Sequence, residues 1–289
     1  MQYEGIVYRP PSEARSLILQ LTIGCARNTC TFCSMYKAKQ FRIRDLAEVT
    51  ADLEACARLY RDRVRRLFLA DGDAMIVKTR DLLYIIHRAF FLFPLLERVS
   101  VYAAPKDVLA KTDEELKALR EAGLTMAYMG LESGDDEVLK RVRKGADSAQ
   151  IIEAGRRLEA AGIAVSITAI SGLGGCERME EHAIHTADVI SAIKPSYASL
   201  LTLMVEEEVP MAKEIREGRF TLLSPKQIME ETRLFLTRID SEGTVFRSNH
   251  ASNYVILAGV FNRDIPDMIR RIDRAAALSE YRPESWRGL

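Results

Sequence analysis

The sequence predicts an α/β fold built from parallel βαβ units. Three observations carry this. Short aliphatic runs alternate with amphipathic helical stretches almost from the start of the chain. Caps, glycines and prolines fall between them at the places where helices begin and end. No stretch rich in Pro, Gly or Ser interrupts the alternation before residue 205. Right-handed crossovers then leave two arrangements, a doubly wound sheet or a curved barrel.

The elements follow in order. Ser16 to Ile23 (SLILQLTI) reads as the first strand. Asp45 to Tyr60 reads as an amphipathic helix, with Leu46, Val49, Leu53 and Leu59 on one face. Arg66 to Ala70 is a short buried strand. Arg80 to Phe93 is a helix that Pro94 stops, because proline lacks the N–H that would continue it. Val99 to Ala103 is the third strand, closed by Pro105. Thr112 caps a helix from Asp113 to Ala122, whose acidic first turn suits the helix dipole, and Gly123 ends it. Thr125 to Leu131 is the fourth strand. A helix begins at Asp135, breaks at Gly145, and resumes from Ala149 to Ala161. Ile163 to Ile170 is strand five, Glu177 to Ile193 a helix, and Tyr197 to Met204 strand six. From Glu206 the pattern changes: two helical stretches flank one strand-like segment, Thr244 to Ser248. Residues 1–205 read as a core and 206–289 as an extension of the same domain.

Composition narrows the function classes. The 289 residues carry 41 Lys plus Arg against 41 Asp plus Glu, so there is no global field to draw in a polyanion. A domain of ~300 residues buries about three quarters of its unfolded surface and needs no staples. The segment Met1 to Pro10 lacks the pattern of a signal peptide. The longest strongly apolar run, Ala89 to Leu96, is far short of the ~20 residues of a membrane span. Five cysteines, three of them between Cys25 and Cys33, do not resemble a secreted disulfide framework. The expected location is the cytoplasm.

The cysteine segment is Gly24-Cys25-Ala26-Arg27-Asn28-Thr29-Cys30-Thr31-Phe32-Cys33, just after the first strand. Three thiolates on one short loop suit an iron–sulfur cluster with one iron left open. Zinc takes four ligands, and His87, His182, His185 and His250 are distant in sequence. A structural zinc and three buried structural cysteines are the alternatives. Cys56, in a helix, and Cys176, after strand five, read as ordinary residues.

With Phe32 just before Cys33 and two residues between Cys30 and Cys33, the segment resembles the radical S-adenosylmethionine (SAM) superfamily. It departs in having four residues, Ala26 to Thr29, where three are usual. One extra residue can bulge from a loop without moving the sulfurs. Ala70-Asp71-Gly72-Asp73 stands where the superfamily has a Gly-Gly-Glu segment that receives the SAM amino group. Met129 to Lys140 (MGLESGDDEVLK) resembles the branch containing oxygen-independent coproporphyrinogen oxidase. By that resemblance Glu132, with Ser133 beside it, points toward SAM, and Lys144 meets the SAM carboxylate. Thr168 and Gly172 align with the segment that lines the adenosine site, although the branch often has an acid where Thr168 stands. The resemblance covers residues 16 to 205 and implies a partial (β/α)6 TIM-like barrel, its mouth covered by the C-terminal extension.

It also implies the chemistry. A [4Fe-4S] cluster on Cys25, Cys30 and Cys33 takes an electron from a flavodoxin- or ferredoxin-type reductant. SAM is cleaved to a 5′-deoxyadenosyl radical, which takes hydrogen from a small organic substrate. Phe32, Asp71, Gly72 and Asp73 join Glu132, Ser133, Lys144, Thr168 and Gly172 as cofactor-binding residues. The tail offers Phe246 to Tyr254 (FRSNHASNY), in which Arg247, Asn249, His250 and Asn253 are candidate substrate contacts. Tyr36 joins them from the basic run with Lys37, Lys39 and Arg42. The one tryptophan, Trp286, is expected to pack on the barrel. Zero net charge and no added nucleic-acid module argue against RNA. Methylthio transfer would want a second cluster, which Cys56 and Cys176 do not make. Action on RNA or a protein side chain, and a non-catalytic iron–sulfur protein, are the competing readings.

Overall fold

A computed structural model describes residues 3–288. In chain order the elements are β1 (Leu17–Gln20), β2 (Thr22–Ile23), β3 (Arg42–Ile43), α1 (Leu46–Tyr60), β4 (Arg66–Ala70), α2 (Thr79–Leu92), β5 (Arg98–Ala103), α3 (Pro105–Leu109), α4 (Asp113–Ala122), β6 (Leu124–Glu132), α5 (Asp136–Arg141), α6 (Ser148–Ala160), β7 (Ala164–Ser171), α7 (Met179–Ile193), β8 (Tyr197–Thr202), α8 (Pro210–Arg216), α9 (Pro225–Arg238), β9 (Val245–Ser248), β10 (Leu257–Val260) and α10 (Ile265–Leu278). Most strands pair in parallel, and one or more helices follow each of β4 to β8. The chain divides into two compact units that interleave in sequence. The first holds Met1–Asn28, Met35–Met129 and Arg157–Val165, and the second Thr29–Ser34, Gly130–Arg156 and Ser166–Leu289.

In the first unit β1, β4, β5 and β6 pair in parallel in that order. Their register aligns Ile18, Phe68, Ser100 and Met126 across one face. Phe68, Tyr102 and Tyr128 meet edge to face there, a geometry that aromatic quadrupoles favour. Leu67, Leu69, Val99, Val101 and Ala127 point the other way and are wholly buried. A parallel sheet covered on both faces reads as a continuous apolar run, which is how RLFLA and VSVYA appear in the sequence. The expected first strand is broken. Leu21 turns away, donating to Ala70 O at 2.5 Å and accepting from Arg44 N at 2.9 Å, so β2 leaves the sheet and pairs antiparallel with β3 across the cysteine loop.

In the second unit β7 and β8 pair in parallel, β8 pairs in parallel with β9, and β10 closes antiparallel on β9. The tail therefore differs from the expected two helices and one strand. Pro210 and Pro225 start α8 and α9 from the first helical turn, where a missing N–H costs nothing. Ser224 and Gln227 form a reciprocal capping box on α9. Phe246 and Phe261 stack, and Phe235 meets Phe261 edge to face, in the layer between α9 and the β9–β10 pair. Trp286 is another correction: its side chain is exposed, while Arg287 beside it is buried.

The α4 helix shows how tightly the sequence specifies an end. Its capping box, Thr112 with Glu115, opens it, and Gly123 closes it at φ +115°. A Cβ at Gly123 would lie 2.2 Å from the Phe90 ring. Gly123→Ala is expected to lower stability by about 2 kcal/mol or more through left-handed strain plus overpacking. The midpoint of urea unfolding measures it, and an unchanged midpoint would refute the account.

Candidate functional site

The first unit supplies Cys25 and the turn after β4. Gly24, at φ +74°, donates its N–H to Asp71 Oδ2 at 3.0 Å, and its carbonyl accepts from Gly72 N at 3.1 Å. A Cβ on Gly72 would lie 2.7 Å from Cys25 Cβ and 2.8 Å from the Tyr36 ring. The two loops thus close on each other only because residue 72 has no side chain. Asp71 is wholly buried, and its charge is offset by Lys39 Nζ at 2.6 Å. Lys39 also donates to Ile6 O at 2.6 Å. Tyr36 is buried beside this pair, and burial first, then the Asp71 charge, holds its hydroxyl well above the usual phenol range. Asp71 and Tyr36 therefore stand beneath Cys25 as a support.

The four-residue gap has a local cause. Asn28 takes the left-handed conformation at φ +25°. Its side-chain amide donates to Tyr36 O at 2.8 Å, and its carbonyl accepts from Lys37 Nζ at 2.7 Å. Arg27 leans out to Asp107 at 3.7 Å. Asp107 faces the buried Asp73, whose Oδ1 accepts from Ala104 N at 3.2 Å. Burial and then the Asp107 carboxyl push the Asp73 pKa up to about 8.

In the second unit, the segment Thr29–Ser34 is held by its own neighbours. Thr31 N donates to Val142 O and Thr31 O accepts from Met211 N, both at 3.0 Å. Phe32 packs against Val138, Val142, Leu173 and Met211. Cys30 Sγ lies 3.8 Å from Arg143 O. Glu132 ends β6 at φ +66° and pairs with Lys144 Nζ at 2.8 Å, and both side chains are mostly buried. A Cβ at Gly130 would lie 2.1 Å from Glu132 Oε1 and 2.9 Å from Lys144 Nζ, so this ion pair occupies the space that the glycine leaves.

Ser133 is fully buried and binds His182 Nδ1 at 2.7 Å. Gly172, at φ +85°, donates to Glu231 Oε1 at 2.8 Å. Thr168 shares a hydroxyl contact with Ser199 at 3.0 Å. Gly172 also lines a pocket of about 490 Å³, together with Thr202, Leu203, Val205, Ile228, Tyr254 and Arg287. From the polar stretch of the tail, only Tyr254 reaches this lining. Asn253 is buried and uses its amide on Thr202 Oγ1 at 3.0 Å and Leu200 O at 2.9 Å. His250 Nδ1 meets Ser252 Oγ at 2.9 Å, and burial holds its pKa below the ordinary imidazole value. Arg247 is exposed and donates to Phe246 O at 2.7 Å, and Asn249 is exposed as well. Sequence reasoning missed His182, Glu231, Tyr254 and Arg287. One signal for Glu231 was available: it shares the apolar face of α9 with Ile228, Thr232 and Phe235.

Residues 19–190 match the family description "Radical SAM superfamily". The chain belongs to the radical SAM superfamily. That family works with a [4Fe-4S] cluster and SAM. A protein of Methanocaldococcus jannaschii named as a methylthiotransferase is 29% identical over 152 residues, 50% of this chain and 32% of its own length. The heme chaperone HemW of Bacillus subtilis is 22% identical over 184 residues, 62% of this chain and 47% of its own length. The chain thus spans less than half the length of these curated relatives. The solved coproporphyrinogen III oxidase of Escherichia coli superposes with a TM-score of 0.59 at 20% identity, over 78% of this chain and 54% of that one. This likeness shows the fold, a radical SAM partial TIM barrel of α/β type.

The donor chemistry of this chain fits a cluster. Three half-buried cysteines lie within nine positions, and thiolate is the ligand that iron–sulfur clusters take. Among the described residues no three His, Cys, Asp or Glu side chains gather closely enough for a single metal ion. A cube of four irons binds each thiolate at a different iron and does not require that closeness.

Asp73 yields a pH test. A carboxyl whose folded pKa of about 8 lies above its ordinary 3.8 holds a proton that the unfolded chain releases. Its contribution to stability is whole below the unfolded value and is lost as pH rises through about 8. Asp73→Asn should therefore flatten the fall in Tm between about pH 4 and pH 8. A variant that keeps the wild-type slope would remove Asp73 as its source.

Proposed function

We propose that this chain is a radical SAM enzyme that acts on a small organic substrate. Cys25, Cys30 and Cys33 would hold the [4Fe-4S] cluster. When bound and reduced, the cluster supplies the single electron that cleaves SAM. A flavodoxin- or ferredoxin-type protein is the fitting donor of that electron.

The observation that carries this reading is the Glu132–Lys144 ion pair packed over Gly130. Both charges are already desolvated and held at the end of a strand, so a zwitterionic ligand meets a fixed cation and a fixed anion. Lys144 would take the SAM carboxylate, and Glu132 would accept from its donor groups. Asp71 would act indirectly by fixing Gly24 and therefore Cys25, while Gly72 and Asp73 keep the neighbouring turn in place. Phe32 would anchor Cys33 through its apolar contacts. Gly172 and Thr168 would face the nucleoside, for which the pocket walls Leu203, Val205 and Ile228 are apolar partners. Asn253, with its amide on β8, would brace the turn that carries Tyr254 to the pocket, and Tyr36 would support the cluster loop. The tail from residue 206 would serve as an extension of the core rather than a separate catalytic domain.

The test is anaerobic cluster reconstitution, followed by SAM and dithionite. The expected products are methionine and 5′-deoxyadenosine in equal amounts. Cys30→Ala should lose the cluster absorbance and the cleavage together. Failure of the wild-type protein to form 5′-deoxyadenosine under strong reduction would overturn the enzyme reading. Lys144→Ala should raise the SAM Kd by about tenfold to a hundredfold, since a charge-assisted bond in a partly buried site contributes about 1.5–3 kcal/mol.

A further inference from the structure

Glu231 lies on α9, far along the chain from every motif that the family reading uses, and its side chain is buried. Its Oε1 accepts from Ser171 Oγ at 2.5 Å and from Gly172 N at 2.8 Å. The same oxygen stands 4.0 Å from His182 Nε2. On the other side of the ring, His182 Nδ1 binds Ser133 Oγ at 2.7 Å, and Ser133 Oγ accepts from Asp135 N at 3.0 Å. The result is a buried line of polar groups from the loop after β6 to the loop after β7, hydrogen-bonded except for the 4.0 Å step between His182 and Glu231. Burial raises the Glu231 pKa, while the His182 ring and the two bonds to Oε1 act the other way.

The chain has a sense. With Glu231 ionised, a bare Nε2 would set its lone pair against the carboxylate, so the imidazole proton belongs on Nε2. Nδ1 then accepts from the Ser133 hydroxyl, and Ser133 in turn accepts from Asp135 N–H. Every donor in the line points toward Glu231. No member of the line other than Gly172 lines the pocket, so its effect on a ligand passes through backbone position.

We propose that Glu231 is a positioning residue: from the C-terminal segment it fixes, in one buried relay through His182 and Ser133, both loops that face SAM. The proposal deepens the SAM-binding reading above and rests on it for the identity of the ligand. The geometry supports it in two further ways. Gly172 is the left-handed residue of the turn that Leu173 N closes on Ile170 O at 3.2 Å, and its own N–H has Glu231 as partner. A Cβ at Gly172 would lie 2.9 Å from Ile228, one helical turn before Glu231, so α9 presses on this loop at two points. Gly134, next to Ser133, has its N–H bound to Thr186 Oγ1 at 2.9 Å on the helix that carries His182. Both loops are thus referred to the same pair of packed helices, α7 and α9.

Two measurements test this on the reconstituted full chain. The first is hydrogen exchange without SAM. Glu231→Ala should speed exchange about tenfold in both segments, residues 171–174 and 133–135, because about 1.4 kcal/mol of local protection is lost. Glu231→Gln, which keeps an acceptor at Oε1, should restore most of it. The second is SAM affinity: Glu231→Ala should weaken it about tenfold and Glu231→Gln by no more than about threefold, at equal iron content. If Glu231→Ala does not fold, Ser171→Ala removes one donor alone and should weaken SAM binding about threefold. Loosening confined to α9, or wild-type SAM affinity in both Glu231→Ala and Ser171→Ala, would overturn the proposal. If the wild-type protein itself fails to bind SAM, the ligand assignment falls, and the exchange pattern alone decides whether Glu231 couples the two loops.

Discussion

A parallel strand buried on both faces has no side chain to spare for chemistry. After Arg66, the residues Leu67, Phe68, Leu69 and Ala70 complete β4 without exposure, and the polar sequence resumes at Asp71. Polar residues stand at the ends of other strands too. Glu132 is the last residue of β6, Ser171 the last of β7 and Thr202 the last of β8. The apolar sheet decides where reactive groups can stand. It also places them at the edge of a low-dielectric interior, where a polar group without a partner costs several kcal/mol (~2–7). Much of the local geometry answers that cost.

Each buried acid has its own answer. Asp71 has Lys39 and the Gly24 N–H. Asp135 caps α5 through Glu137 N at 2.9 Å and meets Arg178 at 2.8 Å, and its pKa lies below the ordinary carboxyl value. Glu231 has two donors and an imidazole. Such pairs add little stability over an apolar core of the same shape, whereas removing one partner costs about 3–5 kcal/mol. Their physical value is specificity of place. A carboxylate with two or three directed bonds cannot drift, and the loop that supplies those bonds cannot drift either. Two glycines make this possible. At Gly72 and Gly130 a side chain would enter the volume held by Cys25 and by Glu132.

Much of this was legible in the sequence. The order of strands and helices from Arg66 to Thr202 follows from periodicity and caps, because local signals and buried faces agree there. The cysteine segment and the Glu132 segment stand out because their spacing carries chemistry. What stayed hidden depends on contacts across long sequence distances. Glu231 looks like one more helix-surface acid until Ser171 and Gly172 are seen to bond it. His182 looks like a helix residue of no particular use until Ser133 meets it. The β1–β2 break depends on Leu21 finding Ala70 and Arg44, neither of which a strand pattern reveals.

The tail stretch FRSNHASNY shows the limit most sharply. A cation, two amides, an imidazole and a phenol in nine residues describe a ligand site and a stapled turn equally well, because the same groups bind backbone or ligand. The structure separates them by counting bonds. Asn253 spends both ends of its amide on β8, and the Ser252 hydroxyl meets Thr202 N at 3.2 Å. Arg282 then donates to the carbonyls of His250 and Ala251, at 3.0 and 2.7 Å. The turn is therefore held from within, and its rigidity passes to the next residue, Tyr254. That phenol is bound by Glu284 at 2.6 Å and covered by the Arg287 guanidinium at 3.9 Å. Arg287 also donates to Ser252 O at 2.7 Å, so a single planar cation ties the turn and the end of the chain to one wall of the pocket. The polar stretch shapes the pocket by bracing Tyr254, and the size of what the pocket admits is set in part by residues more than eighty positions after β8 begins.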